Sequence, residues 1–448
     1  MNLPAAWAKA LLASRLYPAV FQGITTAAFL VIVVSALFAT NNSGQNVGMA
    51  LTWAVWWPLL PLSFLLAGRS WCAICPFARV TDLVQQAVGA ELAVPRILRR
   101  HGPWVIAFLF LLITYVDETW RLSVDARKTG YLLLALLVAV IAFAAFFERR
   151  AFCRHVCFIG GFAGNYSRAG IVELRADADR CRGCRARVCD GGTVRVAGCP
   201  LFLHPPELGD SATCHLCGNC VKSCARDAVS VGFRPPVSEL WNGRAPHLHE
   251  TVLAGSLVGI VLIEQAALLR AWIPLVEGTG ALLHLDPYVW YPLVYAALLT
   301  VFAVAPLAGL ALAGFASETL SGRQGGSVLS NAVAFSAALI PMALASHLAH
   351  AAFHLLTRSR SVPFALLALA GHFPRTVQSA WVSNRAVFGI QMTVLVLGTG
   401  ASLFANARIA RRLAPRSPRL AFLPHAALSL ALLAVNVYFA LTLLVEKG

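Results

Sequence analysis

The chain has 448 residues, of which 58% are hydrophobic and only 12% charged, with a formal net charge of +16. Soluble domains carry about 25% charged residues, so composition excludes a soluble globular protein and points to the membrane. The arginines cluster at the ends of apolar runs and are not interleaved with aromatics, which excludes a nucleic-acid groove and reads instead as membrane topology.

The first stretch, MNLPAAWAKALLASRLYPAVFQG, is weakly basic and leads into an apolar run of about 20 residues. A secretory signal has a shorter core and a small-residue cleavage site, so this segment reads as an uncleaved first helix. Runs long enough to cross a hydrocarbon core of about 30 Å start near Ala19, Met49, Pro103, Gly130, Thr251, Tyr288, Ser327, Val387 and Ala421. Nine spans are predicted, the third of them short (PWVIAFLFLLITYV). A further patch from Val362, VPFALLALAG, is too short to cross and reads as re-entrant or interfacial.

Positive charge orients the spans. Lys9 and Arg15 precede the first, and Arg69, Arg79, Arg96, Arg99 and Arg100 follow the second. ERRAFCRHVC follows the fourth, ARIARRLAPRSPR follows the eighth, and the loop ATNNSGQNVG has no charge. The expected protein is multi-pass in the cytoplasmic (inner) membrane, with its N-terminus inside and its C-terminus outside. One loop, with Arg358, Arg360, Arg375 and Arg385, runs against this count.

The polar segment between the fourth and fifth spans then lies in the cytoplasm, a reducing compartment where thiolates stay free to bind metal. It holds eight of the twelve cysteines. Cys181, Cys184, Cys189 and Cys199 form one run, and Cys214-x2-Cys217-x2-Cys220-x3-Cys224 a second. The second is the bacterial ferredoxin run with Ala225 in place of the usual proline. In that run three cysteines serve one cluster and the fourth reaches the other. Cys181, Cys184, Cys189 and Cys224 are thus expected to hold one [4Fe–4S] cluster, and Cys199, Cys214, Cys217 and Cys220 a second. Zinc ribbons use two separated Cys-x2-Cys pairs, a pattern these runs do not follow. ARDAVSVGF, after the second run, fits a short closing strand.

The other four cysteines stand at the membrane edge. GRSWCAICPFA and RRAFCRHVCFIGG share Arg-x-aromatic-Cys, a short spacer and a second Cys, each after a pair of spans. Residues 1–90 and 95–170 therefore read as a degenerate repeat that brings Cys72, Cys75, Cys153 and Cys157 to one rim beside Arg69, Arg79, Arg150 and Arg154. Positive neighbours lower thiol pKa. The four thiols are candidates for a further metal centre, for redox-active pairs, or for packing of helix ends.

In these residues the chain resembles the membrane polyferredoxins of anaerobic respiration, of the NapH type and of the C-terminal half of the NosR type. Those proteins have transmembrane pairs ending in Cys-x3-Cys-Pro, then a cytoplasmic two-cluster module, and the resemblance covers residues 17–235. Here the first pair, Cys72-x2-Cys75-Pro76, is one residue short, and Phe158 replaces the proline after Cys157. The five C-terminal spans go beyond the NapH type, and nothing here supplies the flavin domain of the NosR type. The resemblance implies membrane electron transfer without fixing the pathway.

In the C-terminal half, SHLAHAAFHLL places His347, His350 and His354 on one helix face. They are candidate ligands for haem or copper, with His284 and His372 expected on the same side, or else interfacial anchors. Glu264 lies within a span, where an ionisable group is costly and so a functional candidate for proton relay, quinone contact or pairing with Gln265. His101 and His425 read as single anchors, and His215 as a residue that tunes a cluster. The expected fold is mostly α: a four-helix membrane domain (1–170), an inserted α+β ferredoxin-like module (171–235) and a five-helix membrane domain (236–448). The expected function is electron relay between a cytoplasmic or quinol donor and a membrane or periplasmic respiratory acceptor. The alternatives are an assembly factor that reduces copper or a disulfide for a respiratory enzyme, and a zinc-stabilised scaffold. Such transfer needs no acid–base residues, which leaves open whether the protein is an enzyme.

Overall fold

The computed structural model describes residues 3–322, 326–372 and 380–447, so Arg375 lies outside the described residues. Among these residues nine helices are long and apolar enough to cross a membrane: Ala19–Phe38, Val47–Ala67, Arg96–Trp120, Ala126–Phe146, Leu248–Ala266, Pro287–Ser321, Leu339–Arg358, Asn384–Leu413 and Pro418–Glu446. A helix satisfies its backbone hydrogen bonds internally, which is what an apolar run must do in lipid. The protein is a polytopic helical membrane protein.

Two spans differ from the sequence reading. The third is 25 residues long, because the polar turns from Arg96 continue into the apolar run through Pro103. The run from Ser327 breaks into a short helix, Val328–Ser336, and the seventh span, Leu339–Arg358. Pro341 stands in the first turn of that span, where its missing N–H costs nothing; further along a helix it would clash with the carbonyl four residues back. The patch at Val362 is a nine-residue helix, Ser361–Leu369, whose Ala365 packs against Val47 and Ala50.

The cysteine-rich segment carries one antiparallel hairpin, β1 (Val172–Ala176) with β2 (Val229–Phe233), in register from Val172 opposite Phe233 to Ala176 opposite Val229. β2 is the expected closing strand. Leu174 and Val229 bury one face of the hairpin against Leu216, Cys214, Cys220 and Cys224. By compactness the chain divides into two units. One comprises residues 1–34, 62–106 and 130–244, and so joins the module to both membrane-edge cysteine pairs. The other comprises 35–61, 107–129 and 245–448.

Candidate iron–sulfur site

The loop from Cys214 to Cys220 turns through two left-handed residues, Leu216 and Gly218, before the helix Asn219–Ser223. These reversals bring Cys214, Cys217 and Cys220 round one small pocket, where Cys199 joins them. The four cysteines expected to share a cluster thus line one space, which a group with four thiolate corners fits. Backbone N–H groups already point at sulfur: Leu216 donates to Cys214 Sγ at 3.4 Å and Ala228 to Cys224 Sγ at 3.3 Å. In the other set, Cys181 lies within electrostatic reach of Cys184 and Cys224, and Cys189 of Cys224. Burial pushes the Cys214 thiol up to about 12 and raises Cys217 and Cys220 as well. Thiols packed this closely ionise together only around positive charge.

No three His, Cys, Asp or Glu side chains among the described residues are arranged to hold a single metal ion. Around one tetrahedral zinc, with Zn–S of about 2.3 Å, sulfurs stand about 3.8 Å apart. A four-iron cube takes them at wider corners.

The membrane-edge pairs share one local design. Cys72 lies in the short helix Ser70–Ile74, and Cys75 is the extended residue that starts the helix Pro76–Val88. Cys153 lies in Ala151–His155, and Cys157 starts Phe158–Ser167, its sulfur accepting from Gly160 N–H at 3.4 Å. The four thiols are electrostatically coupled. The expected lowering by arginine is overruled. Burial pushes Cys75 up to about 12, with Cys153 and Cys72 adding to it, and raises Cys157 well above the usual range. At Cys153 burial also prevails, with Arg150 and then Arg69 pulling the other way.

This quartet is packed onto the module. Ala73, between Cys72 and Cys75, shares a buried apolar cluster with Leu12, Tyr17 and Val231, against which Ile74 and Cys217 pack. Gln22 Nε2 donates to the Ala73 carbonyl at 2.7 Å, and Tyr17 O–H to the Leu216 carbonyl at 3.0 Å. Lys222 donates to the Tyr17 carbonyl. The sequence reading missed Tyr17, because nothing in its local pattern marks a residue whose partner lies 199 positions away.

In the second unit, His350 and His354 meet at 3.1 Å between Nε2 atoms, and Glu264 Oε2 lies 3.6 Å from His350. His347 instead shares its Nδ1 proton with the Ala343 carbonyl at 3.0 Å. Gln265 donates to Asn436, not to Glu264. A narrow pocket beside them is lined by Gln265, His350, Phe353, Gln391, Asn436 and Phe439. His284 and His372 are exposed. His425 is buried, stacked on Phe335 and hydrogen-bonded to Asn331 at 2.9 Å, a packing role.

Among known proteins, the family described as 4Fe-4S binding domain matches residues 49–99 and 129–172. The cysteines in those segments are Cys72, Cys75, Cys153 and Cys157, so the match falls on the membrane-edge quartet. An uncharacterized protein of Methanocaldococcus jannaschii is 28% identical over 170 residues, 37% of this chain and 65% of that protein. The ferredoxin-type protein NapH of Escherichia coli K12 is 25% identical over 206 residues, 42% of this chain and 69% of that protein. The methylamine utilization ferredoxin-type protein MauN of Methylobacillus flagellatus is 27% identical over 158 residues, 32% of this chain and 52% of that protein. The chain therefore spans just under two thirds of the first of these relatives and about half of MauN. No solved structure matches the chain.

Proposed function

We propose that the N-terminal half of the chain is a membrane polyferredoxin of the NapH-like kind and that it holds three redox centres, two in the module and one at the membrane edge. It is an iron–sulfur electron-transfer protein. In this reading Cys181, Cys184, Cys189 and Cys224 hold one [4Fe–4S] cluster, Cys199, Cys214, Cys217 and Cys220 a second, and Cys72, Cys75, Cys153 and Cys157 a third. Bound clusters supply one-electron carriers, with potentials set by charge, hydrogen bonds to sulfur and exposure.

The observation that carries the reading is the shared core: Ala73 and Ile74 of the quartet's loop pack with Cys217 of the module. The quartet favours a metal over a disulfide switch, because buried thiols held protonated are poor nucleophiles, whereas coordination removes their protons outright. The segment around Cys181 and Cys184 is exposed and suits a soluble carrier. In the second unit, the amides of Gln265, Gln391 and Asn436 and the His350 imidazole stand beside Phe353 and Phe439, groups of the kind that bond a quinol's hydroxyls and pack its ring. Electrons then pass between a cytoplasmic or quinol donor and a respiratory acceptor in the membrane or periplasm.

Iron and acid-labile sulfide analysis of the full chain, purified without oxygen, tests this. Three clusters predict about 12 irons per chain. The double variant Cys72→Ser, Cys153→Ser should drop to about eight, with the module's EPR signals intact. About eight irons in both proteins overturns the third cluster and returns the quartet to thiol chemistry.

A further inference from the structure

Arg69 and Arg150 occupy the same place in the two repeats, three residues before the first cysteine of each pair. Both are almost fully buried, at 8% and 4% exposure, although each carries a permanent charge. Each reaches across to the helix that follows the other repeat's cysteines. The Arg69 guanidinium lies on Phe158–Ser167, over Gly160 and Gly164. A Cβ on Gly160 would stand 3.3 Å from Arg69 Nη2, tighter than an ordinary contact, so the glycine gives the guanidinium room. Its Nη1 continues to the carbonyl of Ala212, two residues before Cys214. Arg150 Nη2 bonds Asp82 Oδ2 on Pro76–Val88 at 2.6 Å. The Nε–H of both arginines is buried without a protein partner among the described residues.

The two guanidinium groups thus stand between the membrane-edge thiols and the second cysteine set. Arg69 is within electrostatic reach of Cys153 and Cys214, and Arg150 of Cys153 and Cys217. Among the described residues, one carboxylate, Asp82, pairs with Arg150 at close range and with Arg149 at 3.7 Å, while the buried Asp210 in the pocket beside Arg69 is paired with Arg244 at 2.8 Å. Two buried positive charges against one carboxylate leave positive charge in a low-dielectric space, which is costly unless something negative is held there. Clusters ligated by four thiolates are anionic and become more so on reduction.

Resting on the cluster assignment above, we propose that Arg69 and Arg150 are positioning residues forming a shared positive bridge that raises together the potentials of the quartet centre and of the Cys199, Cys214, Cys217 and Cys220 centre. The half-exposed Cys181, Cys184, Cys189 and Cys224 centre lies outside its reach: the charges acting on Cys181 and Cys189 are those of neighbouring thiols, Asp177, Asp190 and Arg226. An electron is therefore favoured at the inner pair of centres over the outer one.

The test is an EPR-monitored redox titration of the full chain in nanodiscs, with signals assigned by Cys181→Ser and Cys214→Ser. Arg150→Gln should lower the potential of the Cys214-dependent signal by at least tenfold in its reduction equilibrium constant, 59 mV for a one-electron couple. Asp82→Asn removes the opposing charge and should raise the same potential, and Arg150→Lys should restore most of the loss. The Cys181-dependent signal should stay in place throughout. A purely structural salt bridge predicts that Arg150→Gln and Asp82→Asn act alike, and that result overturns the proposal, as do unmoved potentials or an equal shift of the half-exposed centre. Should Arg150→Gln fail to assemble, Asp82→Asn and Arg69→Lys decide by the same criterion. Missing iron in the parent chain would mark failure of the cluster assignment instead.

Discussion

Gly218 shows how closely one residue ties the second cysteine set to the N-terminal helix Leu3–Ala13. Its φ is +79°, and a Cβ there would lie 2.3 Å from the carbonyl oxygen of Leu12, a backbone atom that cannot swing aside. Gly218→Ala adds left-handed strain of about 1–2 kcal/mol to that clash. It should lower the melting temperature in detergent and reduce iron retained per chain, whereas unchanged iron would show that the N-terminal helix does not help to hold the site. The grouping of the cysteines was legible from spacing alone, because three ligands of a cluster come from one short run while the fourth reaches over from the other. Arg69 and Arg150 were legible as neighbours of cysteines, but the net direction of the thiols' shift was not. Burial decides that sign, and burial is set by residues such as Tyr17 and Leu12 that carry no motif.

At the level of elements, apolar length predicted the nine spans, and caps and prolines set where they begin and end. Asn46 is the clearest cap. It is fully buried, accepts from the Met49 N–H at 3.2 Å to start the second span, and donates to the carbonyls of Ser35 at 2.9 Å and Thr40 at 2.7 Å. Asn46→Ala strips all three groups of a partner at once and should cost about 2 kcal/mol or more. Denaturant unfolding in micelles measures this, and a change below about 0.5 kcal/mol would mean that water replaces the side chain. Helical periodicity put three histidines on one stripe. The packing then separated them, because His347 turns to its own backbone while Glu264, from another span, joins His350.

For the whole molecule, the count of arginines predicts an orientation of the chain in the membrane. A protease-recognition insert after Ser43, in the uncharged loop between the first two spans, should be cut from outside in intact cells. One after Arg185, in the exposed loop of the module, should be cut only once the cells are opened. Both residues are exposed, so access does not limit the result, and the reverse pattern would invert the topology. The division of the chain into two units was not legible. They interleave along the sequence, since each of the first four spans contributes to both.

The sequence by itself determined the membrane class and the nine spans and sorted the twelve thiols into groups by spacing, because hydrophobic length and ligand spacing are local and need no partner. Only the tertiary structure decided that RSWCAIC and Cys217 share one apolar core, that the two arginines exchange helices between repeats, and that Cys75, Cys153 and Cys157 are raised rather than lowered. Those outcomes depend on which distant surfaces exclude water together, and no short stretch of sequence carries that information.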